Sequence, residues 1–165
     1  MSAVAPSRPA LGPGVQLSQL LAVDVPEVMA IETRAYLVPW SAGNFIDSLA
    51  AGYLAYALRD ENTGELVGYF LAMKGVEEMH LLNITVEPER QGQGLARLML
   101  DKLCEVCRSE SCPQLWLEVR VSNERARAVY ARYGFAEVGL RKRYYPMPGG
   151  AREDAVLMSL GVPSS

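Results

Sequence analysis

The stretch RQGQGLARLML, Arg90 to Leu100, sets two glycines one residue apart beside Gln91 and Gln93, and a helical apolar pattern starts directly after them. Glycine lets a backbone press its N–H groups against a bulky anion and take turns closed to other residues. A helix start adds unpaired N–H donors and the positive end of the macrodipole. This is the chemistry of a phosphate cradle or, more simply, of a tight strand-to-helix turn. Farther on, Glu118 is the one acid in the apolar run LWLEV. By strand alternation it shares a face with Trp116 and Arg120. It is then either a carboxylate paired with Arg120 or a general base whose pKa a neighbouring indole raises. Tyr130 and Tyr133, in NERARAVYARYG, are phenols able to protonate a leaving group. Asn123 opens that segment two helical turns before Tyr130 and on a similar face.

Other site chemistries fail on spacing. A dinucleotide loop wants its third glycine where Arg97 stands, straight after a strand, yet EPER intervenes; no Gly-Lys-Ser/Thr loop occurs. Cys104 and Cys107 have CxxC spacing but fall inside a helical pattern, and His80 is the single histidine, so four zinc ligands are not on offer and no metal is expected. With Cys112 the cysteines number three, which fits reduced thiols and a cytoplasmic location better than a disulfide framework. No apolar run nears the ~18 residues of a membrane span. The opening MSAVAPSRPALGPG lacks the apolar centre of a secretion signal and reads as a flexible tail over 1–13. A net charge of −3 argues against nucleic acid as a partner. The charge is uneven: from Gln114 to Arg152 eight basic residues face three acids. That asymmetry suits an anionic cofactor and a cationic substrate, or simply a mixed solvated surface.

The elements that must position these residues follow from periodicity. VQL near Val15 is a short strand, and VDVPEVMAIETRAY a helix with Asp24 as N-cap and Glu27 closing a capping box. Ser41 caps a second helix to about Ala51. YLAYALR, LVGYFLAMK and EMHLLNITV alternate as strands, the first two joined by the turn DENTGE. Leu95, Leu98, Met99, Leu103 and Val106 recur at helical spacing from Gly92 to about Glu110. QLWLEVR is a further strand, NERARAVYARYG a helix closed by Gly134, and FAEVGLRKRYY and DAVLMSL the last strands. The expectation is one α/β domain over 14–161, with a short tail over 162–165. A mixed, mostly antiparallel sheet of six to seven strands carries about four helices.

In these residues the chain resembles the Gcn5-related N-acetyltransferases (GNAT). QGQGLA matches their Gln/Arg-x-x-Gly-x-Gly/Ala signature, with Gln91, Gly94 and Ala96 in the signature positions. LLNITVEPERQGQGLA, LWLEVRVSN, AVYARYGF and RKRYYP…GGAREDAVLMSL are similar, in order and spacing, to the family's bacterial ribosomal-protein-alanine N-acetyltransferase group. The resemblance runs from about Val15 to Leu160. It departs at Arg143, where the group has an uncharged Asn before the paired tyrosines; substrate detail rests on that region.

The resemblance implies acetyl-CoA as co-substrate, its pyrophosphate on the backbone of Gly92, Gln93, Gly94, Leu95, Ala96 and Arg97 next to Gln91. Ile84, Thr85 and Val86 would hold the pantetheine arm and thioester through their main chain, with Asn123 a further contact. It implies Glu118 as base, working through water, and Tyr130 rather than Tyr133 as acid. The implied substrate is the N-terminal alanine of a small-subunit ribosomal protein. The alternatives are a lysine or small-amine acetyltransferase on the same fold, or a non-catalytic CoA-binding module. Glu32, Asp47, Glu77 and Glu78 are candidates to attract a basic peptide, and Tyr36, Trp40, Tyr144 and Tyr145 to wall its slot. A monomer is expected, without nucleic acid or membrane.

Overall fold

The computed structural model describes residues 14–163, so the tail expected over 1–13 lies outside the described residues. Its seven strands are β1 (Val15–Gln19), β2 (Leu54–Asp60), β3 (Leu66–Lys74), β4 (Glu78–Val86), β5 (Gln114–Arg120), β6 (Ala136–Pro146) and β7 (Arg152–Gly161). They form one sheet in the order β1-β2-β3-β4-β5-β7-β6. Every neighbouring pair is antiparallel except β4 with β5. Parallel strands need a long crossover, and α3 (Leu95–Ser109) supplies it. The other helices are α1 (Val25–Ala35), α2 (Ala42–Ala50) and α4 (Glu124–Tyr133). This is the mixed α/β architecture expected, with seven strands and, among the described residues, four α-helices.

Two apolar cores lie on opposite faces of the sheet. Met99, Leu100 and Leu103 of α3 and Tyr130 of α4 pack on Val67, Phe70, Met79 and Leu115. Val28 and Ile31 of α1 and Phe45 of α2 pack on Ala57, Tyr69 and Leu71. β4 keeps its apolar residues in the α3 core along its whole length because it carries a bulge: Leu71 pairs with Asn83 but Ala72 with Leu81, leaving Leu82 as an extra residue. A one-residue insertion exchanges the faces of everything beyond it. Met79 and Leu81 therefore join the α3 core and so do Ile84 and Val86, while Asn83 and Thr85 turn to the α1 side.

The pairing of β4 with β5 is short. It runs from Glu78↔Gln114 to Leu81↔Leu117 and stops. β4 continues to Val86 without a partner on that side, and β5 stays with β7 as far as Arg120↔Ala155. The sheet is wedged open at its centre.

Local capping agrees with the sequence at one helix and departs at another. Ser41 Oγ accepts from Asn44 N–H and Asn44 Oδ1 from Ser41 N–H, both at 3.0 Å, closing a capping box on α2. The box expected from Asp24 and Glu27 does not form. A single 3₁₀ turn over Ala22–Asp24 runs straight into α1, so Asp24 already has helical backbone and its side chain caps no α1 N–H. Both carboxylates instead hold Arg59 of β2, at 2.9 Å each. At the C-terminus, Val162 is buried and donates its N–H to Pro113 O at 2.8 Å, so the tail expected from 162 is held at its first residue.

Candidate active site

A cleft of about 1090 Å³ runs from the open edge of β4 past the start of α3 to α4. Ile84, Thr85 and Val86 line it, as do Gln91, Gly92, Gly94, Leu95, Ala96 and Arg97; Gln93 does not. Gly94 is the residue before α3 and sits at φ +82°, with Gly92 at φ +83°. A side chain at Gly94 would meet no atom within 4 Å. The left-handed backbone, not crowding, is what calls for glycine there. The first intrahelical bond of α3 is Leu98 N–H to Gly94 O, and the N–H groups of Leu95, Ala96 and Arg97 reach no acceptor among the described residues.

The loop before the glycines is pinned from three sides. Arg34 of α1 donates to Glu89 at 2.8 and 3.0 Å and to Glu87 at 3.0 Å. Arg90 pairs with Asp60, and Gln91 Nε2 donates to Val86 O at 3.3 Å. Four further arginines on the cleft, Arg97, Arg108, Arg125 and Arg132, take no ion pair among the described residues. Free N–H donors at a helix start and unpaired guanidinium groups suit phosphates. An unpartnered strand edge suits an extended amide chain. Acetyl-CoA carries both, so the residues present fit it.

The second cleft, about 340 Å³, opens on the α1 side of the wedge. Tyr36, Ile84, Asn123, Ala126 and Tyr130 line both clefts and mark their junction. Asn123 Oδ1 caps α4 by accepting Ala126 N–H at 3.1 Å, which leaves its amide NH₂ toward the clefts. The Tyr130 hydroxyl has no protein partner among the described residues, and its ring packs edge-on against Phe135. Burial, with the Tyr36 and Tyr145 phenols near, pushes its pKa far above the ordinary phenol value. Tyr133, the other candidate, is engaged elsewhere: its hydroxyl donates to Asp101 at 2.7 Å.

Glu118 lines the second cleft with a side chain 6% exposed. It is not paired with Arg120, which binds Glu153 at 3.2 Å. Its partners are His80 of β4, Nε2 to Oε1 at 2.6 Å, and Arg141 of β6, Nε to Oε2 at 3.0 Å. The expected rise in its pKa is thus corrected. Burial does push the carboxyl up, but the imidazole of His80 and the guanidinium of Arg141 push it down further, below the ordinary glutamate value.

Around the slot, Trp40 and Tyr145 line the second cleft beside Tyr36. Tyr144 does not; it stacks edge-on against Tyr145 and is 41% exposed. Asp47, Glu77 and Glu78 are exposed and line neither cleft. Glu32 is no surface attractor: it is 1% exposed and accepts from Trp40 N–H at 2.9 Å, Tyr69 Oη at 2.6 Å and Asn83 Nδ2 at 3.3 Å. Arg143 sits at φ +54° in the irregular part of β6, its N–H on Asp154 Oδ1 at 2.8 Å. That left-handed backbone favours Asn over Arg, so conformation does not account for the departure, and the Arg143 side chain lines neither cleft. The residues that sequence reasoning missed are His80, Arg141 and Asn83. A lone histidine two positions from a bulge carries no periodic signal of what it faces. Among the described residues no group of three or more His, Cys, Asp or Glu is arranged to hold a metal.

Residues 25–135 match the acetyltransferase (GNAT) family. The chain is 40% identical over 143 residues to the [ribosomal protein bS18]-alanine N-acetyltransferase of Haemophilus influenzae, covering 87% of this chain and 96% of that protein. To the protein of the same description from Escherichia coli it is 37% identical over 146 residues, covering 88% and 97%. The crystal structure of the ribosomal-protein-S18-alanine N-acetyltransferase from Escherichia coli superposes with a TM-score of 0.82 at 36% identity, covering 92% of this chain and 96% of that one.

Two measurements check this geometry. Gly94→Val forces a branched residue into the left-handed region at the helix start; acetyl-CoA affinity by calorimetry is expected to fall at least about tenfold, roughly 1.4 kcal/mol, in a folded protein. His80→Gln keeps an N–H donor toward Glu118 but removes the imidazole's charge. The hydrogen bond from His80 and its coulombic effect both hold the carboxyl pKa down and Gln keeps only the first, so carbon-13 NMR is expected to find Glu118 titrating at higher pH in the variant. An unchanged titration would assign the depression to Arg141 alone.

Proposed function

The chain belongs to the acetyltransferase (GNAT) family, and on that premise we propose that it acetylates the N-terminal α-amine of a small-subunit ribosomal protein, an alanine. It is an acyltransferase, and acetyl-CoA is its co-substrate. The observation that carries the proposal is the junction of the two clefts at the wedge between β4 and β5, with Tyr130 on it and Glu118 beside it. One cleft suits a phosphate-bearing thioester and the other a peptide end, and transfer between them needs both at one point.

The thioester, when bound, supplies an activated acetyl group with a thiolate leaving group. Every other part of the reaction falls to this chain. The amides from Gly92 to Arg97, with Gln91 behind them, bind phosphate, and the β4 edge over Ile84–Val86 aligns the amide arm. A backbone N–H near Val86 donates to the developing oxyanion. Asn123 adds its NH₂. Both oxygens of Glu118 are engaged, so it draws the amine's proton through a water. Tyr130 keeps its proton at the departing sulfur. A phenol pushed above ~10 does not give its proton outright to a thiolate of pKa ≈ 8.5, so Tyr130 works by hydrogen bonding.

The lowered basicity of Glu118 bears on which amine reacts. Such a carboxylate cannot strip an ammonium of high pKa, so the nucleophile must arrive already neutral. At pH 7.5 about a quarter to a third of α-amines are neutral, against about one lysine in a thousand. In this reading the protein acts as a monomer in the cytoplasm, with no nucleic acid or membrane partner. No helix among the described residues is long and apolar enough to cross a membrane.

Glu118→Gln is expected to lower kcat about 10²–10⁴-fold with acetyl-CoA binding nearly intact. Wild-type turnover with the pH profile unshifted would make Glu118 structural. For substrate choice, kcat/KM is compared for a peptide with a free N-terminal Ala and for the same peptide blocked at its N-terminus but carrying an accessible Lys. The free-Ala peptide is expected to win. Equal values, or a preference for Lys, would move the protein to lysine acetylation and leave the acetyl-CoA assignment standing.

A further inference from the structure

A chain of hydrogen bonds runs from a buried carboxylate to the junction of the clefts, and its polarity is fixed. Glu32 is a carboxylate at 1% exposure that takes no ion pair among the described residues. It accepts from three groups, one of them the backbone N–H of Trp40, which can only donate. Asn83 turns its Nδ2 to Glu32 Oε1, so its Oδ1 is left to accept from Thr85 Oγ1 at 2.7 Å. The single hydrogen of Thr85 is then committed. Tyr36 Oη lies 2.7 Å from Thr85 Oγ1 and 3.2 Å from Ile84 O, so Tyr36 must donate its hydrogen to one or both. Toward the clefts, both of which it lines, its oxygen has only lone pairs to offer.

We propose that Tyr36 accepts a hydrogen bond from the attacking amine, and that Glu32, acting through Asn83 and Thr85, is the positioning residue that keeps the Tyr36 hydroxyl an acceptor. This rests on the amine-acetylation reading of the same site. The amine nitrogen donates N–H in its neutral form, and as the C–N bond forms it gains positive charge. An acceptor contact to it is therefore stronger in the transition state than before, and contributes to kcat. A donor at the same place would compete for the lone pair that must attack the carbonyl carbon. Burial raises the Tyr36 pKa to about 12, with the nearby Glu32 adding to the rise and the Thr85 contact opposing it, so it stays a neutral phenol through the working range. The phenol also lies near that of Tyr130, the group held at the sulfur. One tyrosine faces the incoming nitrogen and the other the leaving group.

The polarity is what an experiment can invert. In Glu32→Gln the new amide can donate toward Asn83. The Asn83 side chain then flips and Thr85 donates to Tyr36, which occupies a lone pair of the phenol and leaves its hydrogen only the longer contact to Ile84 O or the cleft. A double-mutant cycle of Tyr36→Phe and Glu32→Gln is measured by kcat, KM and calorimetric acetyl-CoA affinity. Tyr36→Phe is expected to lower kcat about tenfold, with acetyl-CoA affinity unchanged. Glu32→Gln is expected to lower kcat similarly in the wild-type background and to add nothing in the Tyr36→Phe background. Where Glu32→Gln does not fold, by circular dichroism, Thr85→Val takes its place in the cycle, since it cuts the chain one link nearer Tyr36. A kcat for Tyr36→Phe within twofold of wild type overturns the proposal, and so do additive losses, which would make Glu32 a packing residue only. The wild-type enzyme is first assayed on the free-Ala and blocked-Lys peptides, and the cycle is run on whichever amine it acetylates. A Lys preference in the wild type counts against the α-amine reading; the variant ratios alone judge Tyr36.

Discussion

Everything at the candidate site depends on the early end of one parallel strand pair. β4 and β5 share register only as far as Leu81↔Leu117. Had they stayed paired, the amide edge beyond Leu81 would be consumed by a strand and no wedge would exist. The bulge at Leu82 is the companion device, because it turns Asn83 and Thr85 toward α1 while keeping Ile84 and Val86 in the α3 core. A sheet can thus present backbone to one ligand and an ordered polar chain to another. Neither face loses its apolar packing.

The polar groups are held in ways that fit the cost of burying them. Buried polar atoms must be hydrogen-bonded, and Glu32, Asn83 and Thr85 satisfy one another together with Tyr36 and Tyr69. Glu118 is different, since an imidazole and a guanidinium from two other strands meet it. An isolated carboxylate in that position would be pushed toward its neutral form by desolvation. The pairings keep it ionised and lower its proton affinity in the same stroke. The binding loop relies on neither device: exposed ion pairs of Arg34 steady it, each of them weak alone, and glycine conformation shapes it.

Much of this was legible in the sequence wherever the determinant was local. The two glycines before Leu95 announced the start of α3, Ser41 the cap of α2, and LWLEV an acid in a strand. What was not legible came from pairings distant in the chain. Alternation put Arg120 on the face of Glu118, and it is there, but Glu153 of β7 claims it. Asp24 and Glu27 had the spacing of a capping box, yet Arg59, far along the chain, is a stronger partner for two carboxylates than a backbone N–H. Glu32 looked like a surface acid because nothing in its own helix reveals that β3 and β4 bring Tyr69 and Asn83 over it. The bulge at Leu82 has no local mark, and without it the facing of His80, Asn83 and Thr85 cannot be assigned.

The three cysteines, unpaired and buried, have a bearing on selectivity. Cys104 lies on the wall of the larger cleft, where a thioester is to be bound. Thioesters exchange readily with thiolates, so a nucleophilic sulfur there would capture the acyl group and leave the enzyme modified by its own co-substrate. Burial pushes the Cys104 thiol up from its ordinary pKa, and pushes Cys107 up to about 12. The thiolate, not the thiol, is the reactive form. The same apolar packing that seats α3 on the sheet therefore insulates the acyl donor from self-inflicted transthioesterification.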